Sequence, residues 1–290
     1  MISTLITGLV LGGTYALVAM GLTLQYGISR IMNLAYGEIL IFAAFAAFLL
    51  FSTFGINPIL GLGIVLPAAF ACGYLIYGVM MQPLVTRSKK TGTLEVDSIL
   101  ATFGLLFVIQ GIMLVTFGSN YTSYNFLNTG INVLGANVAA NRLLAFALAI
   151  IIGATLFFVL TRTRWGTTIR AIAVNPDAAP LVGIDVNRTA RFAFALGTML
   201  AASGGVMISM YQTFNASMGV VFTMKALVIV IMGGLGNLMG ALIAGLLLGV
   251  VETLVATYVD PGLTLAATYC LFLVVLLWKP AGLFGKAAGR

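Results

Sequence analysis

The chain has no histidine. That removes the usual general base of Ser–His and Cys–His chemistry and the commonest zinc ligand. Charge is nearly as scarce: 7% of the 290 residues are Asp, Glu, Lys or Arg, against about 25% in an ordinary soluble domain. So few charges cannot cover a water-exposed surface. There are two cysteines, Cys72 and Cys270, each inside an apolar run. They are expected to be small packing residues, not a disulfide or a metal pair. No metal site and no cofactor is expected. The first Lys or Arg is Arg30, so no basic segment precedes the first apolar run. That run reads as a permanent span and not as a secretory signal.

What the chain has is apolar surface. Hydrophobic residues make up 61% of it, and the mean hydropathy is +1.13. The pattern predicts an all-α, polytopic transmembrane helix bundle, one domain over 1–290, with the lipid bilayer around it. A bilayer core of about 30 Å needs about 20 apolar residues per helix. Runs at 2–24, 34–54, 58–80, 97–117, 141–161, 191–211, 219–238, 240–258 and 262–278 meet that need, giving about eight to nine spans. Gly233, Gly234, Gly236 and Gly240 interrupt the pair 219–238 and 240–258. That pair reads as two spans or as a broken, re-entrant one.

The net charge is +7, yet no Lys/Arg run alternates with aromatics as a nucleic-acid surface would require. The basic residues instead report orientation. With the amino terminus outside, twelve of the fourteen fall on the inner side: Arg30, Arg87, Lys89, Lys90, Arg162, Arg164, Arg170, Arg188, Arg191, Lys279, Lys286 and Arg290. Arg142 alone falls outside, and Lys225 lies within a span. Cytoplasmic loops carry such an excess, so the carboxyl terminus is expected to be cytoplasmic.

Five of these arginines crowd into 162–191, which is too charged to span. The stretch is not linker-like either. Ile169, Ile172, Val174, Leu181 and Val182 interleave with the charges, predicting one or two short helices that dock on a partner. In "NPDAAPLVG", Asn175 is expected to cap a helix start, Pro176 to occupy its first position and Asp177 to complement its dipole. Gly183 is expected to close the turn with a positive φ. Pro180 conflicts with a continuous helix, which must kink there or begin later.

Four polar residues inside the spans are candidates for the pathway or for structural pairing. Glu38 sits near one end of the second span, and Gln110 is expected to bind a neighbouring helix. Lys225 and Glu252 are expected to pair; a lone buried charge costs roughly 2.5–3.5 kcal/mol on insertion scales. Gly236, Gly240 and Ala244, and likewise Gly245 and Gly249, repeat at intervals of four and predict close helix packing. "GGLGNLMG" misses the dinucleotide pattern, and "GLFGKAA" lacks the Walker spacing and its Ser/Thr. No ATP site of either kind is expected.

Three classes remain: a permease subunit driven by partner ATPases, an ion-coupled transporter or channel using Glu38 and Glu252, and an intramembrane enzyme. The absence of histidine and of paired intramembrane aspartates weighs against the last. "GLTLQYGISRIMNLAYGE", "SILATFGLLFVIQG", "TRWGTTIRAIAVNPDAAPLVGIDVNR" and "KALVIVIMGGLGNLMGALIAGLLLGVVE" together resemble the permeases of high-affinity branched-chain amino acid ABC transporters. The likeness is to the LivH-like of the family's two paralogous subunits, and urea and amide permeases share the motifs. The resemblance implies a bacterial inner-membrane importer working by alternating access. It implies a LivM-like second permease, two cytoplasmic ATPases and a periplasmic solute-binding protein as partners. It also makes 162–191 the cytoplasmic coupling loop, with Arg170, Ala173, Asn175, Asp177, Leu181 and Gly183 in the ATPase contact. Tyr36 stands where this family usually carries histidine.

Overall fold

A computed structural model describes residues 1–87, 91–133, 136–176 and 178–285. Asp177, Lys89, Lys90, Lys286 and Arg290, all singled out above, lie outside the described residues. The helices are α1 (Ile2–Ser29), α2 (Tyr36–Phe54), α3 (Pro58–Ile76), α4 (Gln82–Arg87), α5 (Thr91–Phe117), α6 (Ala140–Arg162), α7 (Arg164–Val174), α8 (Val186–Ser209), α9 (Gly219–Gly233), α10 (Leu238–Tyr258) and α11 (Thr264–Trp278). A single π turn, Tyr77–Met81, joins α3 to α4. Eight helical segments of the described residues are long and apolar enough to cross a membrane. The chain is an all-α polytopic bundle, as the apolar runs predict.

Burial separates a core from a shell. In α8, 83% of the most apolar window is buried, against 17% in α5 and 11% in the last span. α8 and α1 form the centre, with α2, α3, α6 and α10 laid against them. Glycine permits the closest of these approaches. A methyl added at Gly12 would lie 2.8 Å from Leu246 Cα, and one at Gly245 would lie 2.5 Å from Ala16 Cα. One at Gly249 would overlap the Gly12 backbone. α1 and α10 thus touch backbone to backbone, the close packing expected of Gly245 and Gly249. Gly240 instead packs on Gly233 within the α9–α10 hairpin. Gly236 is on no helix face: it sits in the turn before α10 with φ 80°, so its packing assignment is corrected.

Three further features could not be read from the apolar pattern alone, and the third decides between the two readings left open for 219–258. Cys72 and Cys270 are free and exposed on outward helix faces, since an apolar run cannot show which face turns inward. The long polar segment after α5 contains an antiparallel hairpin, β1 (Gly130–Val133) and β2 (Ala136–Ala139). Most instructive is α9, whose 15 residues rise only about 22 Å, short of a bilayer core of about 30 Å. After α8 the chain turns back into the bundle. The ring of Phe214 lies 5.0 Å from that of Phe45 in α2, and Gly219, the first residue of α9, reaches the Glu38 side chain in the first turn of α2. The run 219–238 is therefore a broken segment and not a full span.

The two ends of the bundle differ. One carries the hairpin, the start of α1 and the end of α8. There Tyr124 shares a 2.8 Å hydrogen bond with Ser209, and burial pushes its hydroxyl above its ordinary pKa. The other end carries α7 and the α9–α10 turn, onto which Leu283 and Phe284 bond through Met232 O and Gly233 O.

Candidate functional site

Two regions hold the residues singled out from sequence. The first is the segment between α6 and α8. α6 stops at Thr163, whose backbone is extended (φ −103°, ψ 160°) and whose Oγ1 accepts from Gly166 N. A threonine cap of this kind is worth about 0.5–2 kcal/mol, and here it starts α7 as a separate helix. A Cβ at Gly166 would overlap the Leu160 carbonyl, so only glycine allows the sharp corner. Ile169 and Ile172 turn inward and are buried. Asn175 does not open a helix. It ends α7 in an extended conformation, and its Oδ1 accepts from Ala178 N. The next helix begins later, as a 3₁₀ turn Ala179–Val182 with Pro180 at its start, where no amide donor is needed. Gly183 closes the turn at φ 78°. Asp185 Oδ1 then caps α8 by accepting from Arg188 N at 2.9 Å.

This assembly is anchored by buried residues beneath and apolar outside. Val174, Leu181 and Val182 are 86%, 87% and 74% exposed, although nothing in their sequence distinguishes them from the buried Ile169 and Ile172. Ala173 and Arg170 lie on the same exposed side. Arg191 has a different role. Its Nε donates to Tyr74 O at 2.9 Å, and its guanidinium lies 3.8 Å over the Tyr74 ring. The base of α8 is thereby fastened to α3 just before the π turn.

The second region is the polar interior. Lys225 on α9 donates to Glu252 Oε1 on α10 at 2.5 Å and to Tyr15 Oη on α1 at 2.8 Å. Pairing is what lets two charges stay in low dielectric. Glu252 Oε2 has no hydrogen-bond partner among the described residues. Glu38 is fully buried, and neither of its carboxylate oxygens has a hydrogen-bond partner among the described residues. It sits in the first turn of α2 and against the first residue of α9, so two positive helix ends offset its charge. Gln110 is half-buried on α5 and makes no interhelical hydrogen bond among the described residues.

Reasoning from sequence missed a third polar group. Gln25 Nε2 donates to Phe194 O (2.9 Å) and Thr198 Oγ1 (3.2 Å), and its Oε1 accepts from Asn33. Tyr36 Oη donates to Val18 O at 2.8 Å and Gly197 O at 3.1 Å. These bonds hold the α1–α2 connection inside the bundle. The available signal was a pair of amides, Gln25 and Asn33, flanking Arg30 in otherwise apolar sequence.

A bundle of apolar helices, with one buried ion pair inside and a structured basic loop at one end, defines the class: a multi-pass membrane protein. A family model described as "Branched-chain amino acid transport system / permease component" matches residues 4–278, and the chain belongs to that family. It is 28% identical to the branched-chain amino acid permease BraD of Pseudomonas aeruginosa, over 97% of this chain and 95% of that protein. It is also 28% identical to the permease LivH of Escherichia coli, over 96% and 94%. Among solved structures, PsaBC from Streptococcus pneumoniae, in complex with Fab, superposes with a TM-score of 0.50 at 11% identity, covering 98% of this chain and 93% of that one. That likeness concerns the fold alone. The chain is a transport subunit of the permease kind, and these relatives are permease proteins of high-affinity branched-chain amino acid transport systems.

Proposed function

We propose that the chain is one of two transmembrane subunits of a bacterial inner-membrane ABC importer for branched-chain or related amino acids. A LivM-like permease is its companion, a periplasmic binding protein delivers the solute, and two cytoplasmic ATPases drive alternating access. The amino terminus is outside and the α7 end faces the cytoplasm, as the placement of the basic residues supports. The observation that carries the reading is the loop between α6 and α8. Its buried Ile169 and Ile172 anchor it to the bundle, while Val174, Leu181 and Val182 present an exposed apolar face among the described residues. An apolar face ringed by arginines outside the spans suits a groove on a soluble subunit.

The test is Leu181→Asp. Leu181 lies in the 3₁₀ turn outside the spans and is largely exposed, so the subunit should insert and accumulate normally. A charge at the centre of the contact should reduce co-purification of the ATPases and abolish the stimulation of ATP hydrolysis by loaded binding protein. Wild-type recruitment together with wild-type stimulation would remove the loop from the coupling role.

A further inference from the structure

At the hairpin end of the bundle, between α6 and α10 on the surface of α1, lies a cavity of about 240 Å³. Its polar lining is unusual for what it leaves unpaired. Glu252 is 8% exposed; Lys225 and Tyr15 meet its Oε1, and its Oε2 has no partner. Gln212 Oε1 on the same wall is also buried without a partner. Across from them Arg142, the one basic residue predicted for the outer loops, lines the cavity with no acidic partner among the described residues. Two buried acceptors without donors carry a desolvation cost that a donor in the cavity would remove. An unpaired guanidinium presents a planar fork of donors suited to a carboxylate.

A separate apolar groove of about 420 Å³ lies further along the same helices, lined by Gly13, Leu17, Phe146, Ala149 and Leu246 among others. The two surfaces succeed each other along two of these helices. Val10, Gly13 and Leu17 step by three and four along α1, and Arg142, Phe146 and Ala149 step by four and three along α6, so each set shares one face. A head bearing both charges, followed by an aliphatic side chain, matches this order of surfaces.

We propose that this cavity is a binding site for the free α-amino acid on its way through the subunit. The ammonium would lie on Glu252 Oε2 and Gln212 Oε1, the carboxylate on Arg142, and the side chain along the α1–α6 groove. The proposal rests on the reading of the chain as an amino-acid permease. An amine without a carboxylate leaves Arg142 unpaired, and a carboxylate without an ammonium leaves both acceptors unpaired. The site therefore selects the zwitterion and not either half of it.

The test uses the complete transporter in liposomes, with Cys72→Ala and Cys270→Ala, and Thr7→Cys as a reporter. Thr7 lines the cavity but belongs to none of the pairing groups. Leucine should slow labelling of Thr7→Cys by a cationic thiol reagent. Leucinamide and 4-methylpentanoate, each lacking one charge, should not. Protection should be lost in Arg142→Gln, and in Gln212→Leu as a second variant independent of the Lys225 pair. Leucine uptake is measured on the same liposomes. Normal uptake without any protection overturns the site. Protection by leucine without uptake supports the site and removes the transport reading instead. Protection that requires phosphatidylethanolamine in the bilayer and ignores leucine overturns the proposal in favour of a lipid headgroup.

Discussion

Lys225 and Glu252 stand 27 positions apart in sequence and 2.5 Å apart in the fold. They join α9 to α10 across the hairpin, and Tyr15 fastens the pair to α1. Removing one partner strands the other charge in low dielectric, a loss of about 3–5 kcal/mol for a buried pair. Lys225→Ala and Glu252→Ala should each reduce the amount of folded subunit sharply. The double variant should recover part of that loss, because no charge is left alone. A double-mutant cycle on thermal stability in detergent reads the coupling, and strict additivity would show that the two residues act independently.

The contact of α1 with α10 makes a sharper prediction about glycine. A methyl at Gly12 would lie 2.8 Å from both Leu246 Cα and Leu246 O, whereas one at Gly104 or Gly111 on α5 would meet nothing within 4 Å. Gly12→Ala should therefore lower stability, and Gly12→Val should prevent accumulation, since backbone atoms cannot move aside as side chains do. Gly104→Ala and Gly111→Ala should accumulate at wild-type levels. Quantitative blotting of the four variants in membranes checks the contrast, and equal levels for Gly12→Val and Gly104→Ala would sink it.

The spans were legible because the need to bury about 20 apolar residues leaves a strong one-dimensional trace. The Lys225–Glu252 pair was legible for a related reason: opposite charges are too rare in such helices to be unrelated. Tyr15, which completes the pair, was not, because an aromatic in an apolar run looks the same whether it packs or bonds. The depth of α9 was hidden as well. Hydropathy measures how apolar a run is and not where it starts, so Gly219 reaching Glu38 could be learned only from the fold. Gly183 was correctly placed by its need for positive φ, while Asn175, placed at the start of a helix, ends α7 and also caps the short turn after it through Ala178 N. An asparagine beside proline serves either purpose, and the choice depends on where α7 has already run out.

Tyr36 provides a test of the buried α1–α2 connection. Its hydroxyl donates to Val18 O and Gly197 O, carbonyls on the two central helices. Tyr36→Phe keeps the ring and removes the donor, and should cost about 0.5–1.5 kcal/mol. Tyr36→His has a shorter reach to those carbonyls and should lose more than Phe does. Thermal unfolding of the purified subunit measures both. A melting temperature unchanged by Tyr36→Phe would mean the two hydrogen bonds contribute nothing.

Orientation is open to direct labelling. Asn128, between α5 and the hairpin, and Asn187, at the start of α8, are both exposed and lie at opposite ends of the bundle. In a background without Cys72 and Cys270, Asn128→Cys should react with a membrane-impermeant thiol reagent added to intact cells after the outer membrane is permeabilised. Asn187→Cys should react only once the inner membrane is opened. Reaction of both positions from the same side would contradict the helix order, and the reverse pattern would invert the proposed topology.

Gly183 separates backbone strain from contact chemistry at the exposed loop. Its φ is 78°, and a Cβ there would meet no atom within 4 Å, so a substitution is penalised by conformation alone. Asparagine enters the left-handed region readily, while a β-branched residue is strongly disfavoured there, and an ordinary L-residue pays about 1–2 kcal/mol. Gly183→Asn should therefore keep the 3₁₀ turn and the ATPase response to loaded binding protein. Gly183→Val should redirect the chain between Val182 and Asp185, displacing Leu181 and Val182 from the exposed face while leaving the spans inserted. Limited trypsin digestion at Arg188 should speed up for Val but not for Asn, and solute-stimulated ATP hydrolysis should fall in step with it. If Val and Asn match wild type in both measurements, the left-handed turn at Gly183 is not what holds the apolar face in place.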